Sequence, residues 1–221
     1  MPLQIELMKD KREKSELSWD GYKVTFDYYQ RYLKEKERRG LSRYDLDFTD
    51  LLYASNYKAG SGSIQENLLI PEGQDKLEQY SGFLKRLTNS FGTVSLSKLD
   101  NKGLELLLDY ASEMIVLCTK YHIKGLGVPY CSALVHLHFP NLIPVLDRNA
   151  LLGLELVTCE SIPKSGQIMK IEQHYKDLIT SMYERLIVSG VTLRELDREV
   201  FLKGQETWSQ YNKSKAPKLS R

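Results

Sequence analysis

Apolar residues spaced three and four positions apart run along most of this chain, and this periodicity restricts its fold more than any other feature. Between residues 19 and 39 the side chains of Tyr22, Phe26 and Tyr29 follow that spacing, which is typical of an amphipathic α-helix. The segment 103–120 carries a broader apolar stripe. No β-branched run alternates with polar residues as a half-buried strand does. The sequence therefore predicts an all-α protein.

Capping and turn residues set the expected helix boundaries. Ser42, with Asp45 three positions later, resembles a capping box that opens a helix ending near residue 57. Pro71 suits the first turn of a third helix. Thr192 with Glu195 forms a capping box before a last helix that runs to about residue 208. The other helices expected between these points cover 103–120, 130–139, 147–154 and 174–188.

The length of 221 residues fits one large domain or two packed lobes. We expect a flexible segment at 1–17, a helical domain at 18–210 and a basic tail at 211–221, with a glycine- and serine-rich loop at 59–63. The start of the chain is polar and charged, so no secretory signal is readable. The sequence contains no run of 18 apolar residues, so no membrane span is predicted. These features predict a soluble cytoplasmic protein with no membrane partner.

Cysteine and histidine usage excludes several kinds of site. The three cysteines, Cys118, Cys131 and Cys159, form no C-x-x-C pair, which disfavours a disulfide scaffold and a four-cysteine metal site. Three scattered thiols also cannot supply the ligands of an iron–sulfur cluster. His136 and His138 lie two apart on a predicted helix and so face different directions. We therefore expect neither a metal ion nor a cofactor.

The charge balance permits nucleic-acid binding without demanding it. The net charge is +2 and the sequence pI is about 8.3. Basic residues cluster at 9–14, 34–39 and 213–221. Solvated surface and tails are the simplest interpretation of each run.

The turn Gly125-Leu126-Gly127 separates two predicted helices and is the first element that points to chemistry. Glycine permits a positive φ and the close approach of another backbone. The second helix begins at once, and its first amides are unpaired and carry partial positive charge. Such a helix start can bind an anion such as a phosphate of nucleic acid. An ordinary connection in an αα-hairpin is the alternative.

A carboxylate follows at a defined point downstream. The apolar stretch Ile143-Pro144-Val145-Leu146 leads directly into Asp147, where another helix is predicted to begin. An acid held there beside apolar walls is suited to catalysis. A simple N-cap, a role that aspartate often fills, is the alternative and is compatible with it.

Together these motifs resemble the signature of the helix-hairpin-helix (HhH-GPD) superfamily of DNA glycosylases, and the nearest pattern is that of the adenine DNA glycosylases. The resemblance covers about residues 121–154, within a hairpin region expected at 103–139, and Asp147 follows Pro129 by 18 positions as in that family. It implies a two-lobed helical fold and DNA as the partner. The residues that it implies at the DNA are Lys124, Gly125, Leu126, Gly127, Val128, Pro129, Tyr130, Arg148 and Asn149.

The resemblance also implies a mechanism. Bifunctional members carry a nucleophilic lysine where this chain has Pro129, so we expect monofunctional hydrolysis of the N-glycosidic bond without strand cleavage. Asp147 would stabilise the oxocarbenium-like sugar and orient the attacking water. The target base would leave the stack and enter a pocket. Stacking faces and amides near the loop at 59–63 are the pocket candidates, namely Tyr53, Asn56, Tyr57, Gln65 and Asn67.

Two other functions fit the same sequence. One is a non-catalytic helix-hairpin-helix module that binds DNA, and the other is a helical interaction protein with no role at nucleic acid. For a glycosylase, the substrate is open between a DNA-repair lesion and a modified base of foreign DNA such as a phage genome. The lack of iron–sulfur ligands and of a readable C-terminal recognition domain argues against a full adenine glycosylase for oxidised mispairs.

Overall fold

The computed structural model describes the backbone of residues 2–58 and 64–215, and the side chains from Trp19 onward within those ranges. The side chains of the predicted flexible segment 1–17 lie outside the described residues, as do the loop at 59–63 and residues 216–221 of the predicted basic tail. Across the described ranges every regular element is helical, which confirms the all-α prediction. None of the described helices is long and apolar enough to cross a membrane.

The described part contains eight α-helices. They are α1 (Pro2–Arg38), α2 (Phe48–Tyr57), α3 (Pro71–Phe91), α4 (Asn101–Lys120), α5 (Val128–His138), α6 (Arg148–Gly153), α7 (Tyr175–Ser189) and α8 (Leu193–Lys215). Short 3₁₀ turns occur at Leu96–Lys98, Cys159–Ser161 and Ile171–His174.

Two predicted caps are confirmed and one is wrong. Asp147 caps α6, and Thr192 forms the reciprocal pair with Glu195 that opens α8. The predicted cap at Ser42 is not used. Instead α2 begins at Phe48, where Asp47 and Asp50 form the capping box. Asp50 is fixed at that position because it also accepts a hydrogen bond from Lys36 of α1, which the local sequence does not reveal.

Helix α5 lies at the centre of the fold. Its residues from Cys131 to His138 are all buried, so this helix is covered on every side rather than on one face. It packs against α1, α2 and α4. The loop that follows it, Leu142–Leu146, is buried as well. A buried, apolar segment therefore delivers the chain to Asp147.

A buried polar network joins α1, α2 and α5. Lys36 donates a hydrogen bond to Asp50 Oδ2 at 2.9 Å, and the Tyr29 hydroxyl donates to Asp50 Oδ1 at 2.8 Å. Burial lowers the pKa of His138 to about 3, so its ring is neutral. Because Tyr29 gives its proton to Asp50, the Nε2–H of His138, 2.8 Å away, donates to the Tyr29 oxygen. This network fixes α2, which ends next to Asp147.

Helices α6 and α8 touch backbone to backbone at two glycines. A Cβ atom on Gly204 would lie 1.9 Å from the carbonyl oxygen of Asn149, and one on Gly153 would lie 1.9 Å from that of Val200. Both distances are far inside van der Waals contact. Asn149 of α6 faces Gly204 of α8, and Gly153 of α6 faces Val200 of α8. The order of the contacts is therefore reversed between the two helices, which run antiparallel.

We expect Gly204→Ala to lower the free energy of unfolding by about 3 kcal/mol or more, because the added methyl group meets a backbone carbonyl that cannot move aside alone. Urea unfolding followed by circular dichroism measures this change. Gly21→Ala is the matched control, since nothing lies within 4 Å of a Cβ at this helical position of α1. There the stability should stay level or rise by about 1 kcal/mol. Equal effects of both substitutions would contradict the close contact.

Candidate functional site: an acidic helix start beside a helical hairpin

The hairpin consists of α4, the turn 121–127 and α5. Gly125 has a φ of +98°, the left-handed region that favours glycine. Gly127 has a φ of −78° and is the N-cap of α5, so it supplies no side chain to the helix start. Pro129 in the first turn has no amide hydrogen. The helix start thus has no side-chain cap. Because the Tyr130 and Cys131 amides donate to the Gly127 carbonyl, the amides that an anion could meet there are those of Gly127 and Val128.

A loop after the undescribed residues 59–63 braces this turn. Glu66 Oε2 accepts a hydrogen bond from the Lys124 amide at 2.8 Å, and the Gln65 amide donates to the Lys124 carbonyl at 2.9 Å. Lys76 ties the same segments together through Glu66 and the His122 carbonyl. The backbone of Lys124 is therefore fixed, while the residue itself remains exposed. Glu66 and Lys76 belong to none of the sequence motifs.

Asp147 lies at the N-cap of α6, where both of its oxygens have a defined neighbour. Oδ1 accepts a hydrogen bond from the Ala150 amide at 2.7 Å. Oδ2 lies 3.5 Å from the Nζ of Lys58, the C-cap residue of α2. The side chain of Asp147 is 20% exposed and that of Lys58 is 14% exposed. Lys58 could not be predicted from local sequence, because 88 positions separate it from the Leu146 carbonyl, to which it also donates a hydrogen bond.

A second acid, Asp197 of α8, interacts electrostatically with both Asp147 and Lys58. Its carboxylate is 3.3 Å from Nη1 of Arg194, which lies one turn earlier in the same helix. Asp197 is buried rather than on a solvated face. Burial raises the pKa of Asp197 to about 7, against the attraction of Arg194, and the negative charge of Asp147 raises it further while Lys58 lowers it. Asp197 belongs to none of the sequence motifs.

Aromatic rings surround the Arg194 end of this group. The Arg194 guanidinium lies 4.1 Å from the centre of the Trp19 ring, and it donates a hydrogen bond to the Tyr57 hydroxyl. Tyr57 also packs against the ring of His136, with 5.7 Å between ring centres. Burial lowers the pKa of His136 to about 3, so this ring is neutral. Tyr57 is 3% exposed, so its ring face is covered by protein here.

The five predicted pocket residues lie in four different surroundings. Tyr57 contacts Arg194 beside Asp197. Tyr53 stacks toward the rings of Tyr29 and Tyr32 instead, and Asn56 is exposed and donates a hydrogen bond to Thr25. The remaining two, Gln65 and Asn67, are exposed in the loop that braces the hairpin.

The two residues after Asp147 take part in packing. Arg148 Nη1 donates a hydrogen bond to the Gly166 carbonyl at 3.0 Å, and its guanidinium lies 4.9 Å from the ring centre of Trp208 on α8. Asn149 presents its backbone carbonyl to Gly204. Both residues therefore join α6 to its surroundings.

A shallow depression of about 480 Å³ lies away from these acids. Its lining residues are Thr158, Cys159, Glu160, Thr207, Gln210, Tyr211 and Ser214. Among the described side chains, no group of three histidine, cysteine, aspartate or glutamate residues could hold a metal ion. In comparisons with known proteins, no protein-family model, no curated protein and no solved structure matches the chain.

The raised pKa of Asp197 gives stability a defined pH dependence. The folded protein binds the Asp197 proton more tightly than the unfolded chain does, so the stability present at acid pH is lost as pH rises toward about 7. We expect Asp197→Asn, which cannot ionise, to gain stability relative to the parent between pH 5 and pH 8, by on the order of a few kcal/mol. Urea midpoints across this range measure it, and a constant difference would contradict the buried-acid assignment.

Proposed function

We propose that this chain is a monofunctional DNA glycosylase with a two-lobed fold of the HhH-GPD type. The observation that carries the proposal is the placement of Asp147, which caps a helix directly after a buried loop and a helical hairpin. That order of elements, with the motifs at 125–127 and 143–147, is the order of the glycosylase signature. The helical structure is compatible with this fold.

The hairpin supports DNA binding. Lys124 and Gly127 are exposed, and Val128, Pro129 and Tyr130 are partly exposed next to them. A phosphate at the uncapped start of α5 would meet backbone amides and partial positive charge. The exposed lysine adds a contact that salt screens.

Asp147 supports hydrolysis of the glycosidic bond. Its Oδ1 is fixed by the cap, Oδ2 faces Lys58, and the side chain as a whole is 20% exposed. An ionised, oriented acid can stabilise positive charge on the sugar and hold a water for attack. Pro129 replaces the lysine of bifunctional enzymes, so the product would be an abasic site in an intact strand.

We expect Asp147→Asn to lower base release by a factor on the order of 10² to 10⁴, because the transition state loses its stabilising charge. Single-turnover release from a panel of duplexes with lesions and phage-type modified bases, read by alkali cleavage, measures it. Asp100→Asn is the matched control, since Asp100 caps α4 in the same way with a 2.7 Å bond to the Gly103 amide. Asparagine caps helices as well as aspartate does, so both variants should fold.

The outcome of this experiment is decisive for the catalytic part. Base release by the parent and by Asp100→Asn, but not by Asp147→Asn, supports the proposal and identifies the substrate. Equal release by Asp147→Asn would show that another residue carries the reaction.

We expect Lys124→Ala to weaken binding to every duplex by a similar factor and to reduce the salt slope of binding by about 1, because one phosphate contact is lost. Fluorescence anisotropy between 50 and 200 mM salt measures both effects. Lys102→Ala is the control, because Lys102 is also exposed but lies at the opposite end of α4. The same loss in both variants would move the DNA surface away from the hairpin.

A non-catalytic DNA-binding module is the second candidate, favoured by the contact between Lys58 and Asp147. In the free protein the ammonium of Lys58 lies beside Oδ2 of Asp147 and pairs with this carboxylate. Salt-sensitive binding without abasic sites on any duplex would select this module. A lack of both binding and base release would leave a helical interaction protein.

A further inference from the structure

Lys58 holds its ammonium directly beside the acid of the proposed site. It is the C-cap residue of α2, and its Nζ donates a hydrogen bond to the Leu146 carbonyl at 3.3 Å. The same Nζ lies 3.5 Å from Oδ2 of Asp147, and the lysine side chain is largely buried. Both contacts are made to adjacent residues of the loop that ends at α6, so the ammonium and the carboxylate are presented together.

The contacts of Lys58 are longer than those of Lys36, a largely buried lysine of α1. Lys36 donates to the Asp45 carbonyl at 2.5 Å and to Asp50 Oδ2 at 2.9 Å, as expected of a structural anchor. At 3.5 Å, Lys58 and Asp147 form an ion pair that is too long for a good hydrogen bond. Because an ammonium has three hydrogens on a flexible stem, Lys58 can move to a better acceptor without a change in the backbone.

We propose that Lys58 binds a phosphate on one side of the target nucleotide, and that its ammonium moves from Asp147 to this phosphate when DNA is bound. This inference rests on the proposed glycosylase function. A sugar whose C1′ faces Asp147 carries one phosphate on each side, only a few bonds from C1′. An ammonium that lies 3.5 Å from Asp147 is therefore within reach of one of these phosphates. Such phosphate contacts set the position of a nucleotide on a protein.

The charges of the three groups give the reason for the transfer. A phosphate is an anion that accepts short, charge-assisted hydrogen bonds from an ammonium. In the free protein the positive charge of Lys58 balances the negative charge of Asp147. Once the ammonium has moved to the phosphate, the carboxylate can act on the positive charge that develops on the sugar. DNA binding would thus position the nucleotide and release Asp147 for the reaction in one step.

The test is single-turnover base release from the duplex that the panel identifies as a substrate, synthesised with a neutral methylphosphonate at the phosphate 5′ or 3′ of the target nucleotide. We expect one of the two replacements to lower the parent rate roughly tenfold to a hundredfold, because a charge-assisted contact is lost. Lys58→Met should be slower than the parent on the unmodified duplex. The methylphosphonate should lower its rate by no more than about twofold, because the contact is already absent.

Two further variants serve as controls. Lys58→Arg keeps a cation that binds phosphate and should stay sensitive to the same methylphosphonate. Lys102→Ala removes an exposed lysine at the far end of α4 and should show the parent pattern. Circular dichroism shows whether each variant is folded. If Lys58→Met does not fold, Lys58→Gln takes its place, because glutamine can still donate to the Leu146 carbonyl.

The outcomes separate this inference from the proposed function. Sensitivity to one methylphosphonate in the parent, and its loss in Lys58→Met, supports the phosphate contact. Base release that requires Asp147 but responds to neither methylphosphonate, or responds equally in the parent and in Lys58→Met, would overturn the role of Lys58 alone. Absence of base release from every duplex would overturn the glycosylase function and this inference with it.

Discussion

The backbone contact between α6 and α8 is the constraint on which the site depends. Helix α6 has six residues, too few to be stable alone. It persists because Gly153 and Gly204 allow the two helices to approach until a carbonyl oxygen occupies the space of each missing side chain. Arg148 strengthens the arrangement through the Gly166 carbonyl and the Trp208 ring. The position of Asp147 is thus determined by tertiary packing.

The two buried acids Asp50 and Asp197 differ in how many hydrogen bonds they accept. Asp50 accepts hydrogen bonds from Lys36, Tyr29 and the Asp47 amide, so its oxygens are well satisfied. Asp197 accepts a long hydrogen bond, 3.3 Å, from Arg194. The same guanidinium nitrogen also donates to the Tyr57 hydroxyl. Dense hydrogen bonding suits a structural anchor. A buried acid with weaker compensation changes its charge more readily with its surroundings.

Local patterns in the sequence predicted what depends on local physics. The helical class follows from periodicity, and the caps at Asp147 and Thr192 follow from residues within one turn. The start of α2 was predicted too early, because Lys36 fixes Asp50 from another helix.

The charged site around Asp147 could not be predicted, because it depends on contacts between residues far apart in the sequence. Lys58 reaches Asp147 across nearly ninety positions, and nothing near Lys58 in the sequence marks it as different from other lysines. Asp197 occurs next to Arg194 and Arg198 in a helix, which in sequence indicates a solvated face. Its burial arises from how α8 packs on α1, α6 and α7.

The glycine contact also has a consequence for the order in which the molecule is assembled. During synthesis the hairpin and the buried loop emerge before α8, so the short helix after Asp147 has at first nothing to pack against. The acid can take its position only after the chain through Gly204 has left the ribosome. The hairpin is therefore complete earlier than the acid, and nascent chains pass through a stage at which the hairpin exists without Asp147 in position.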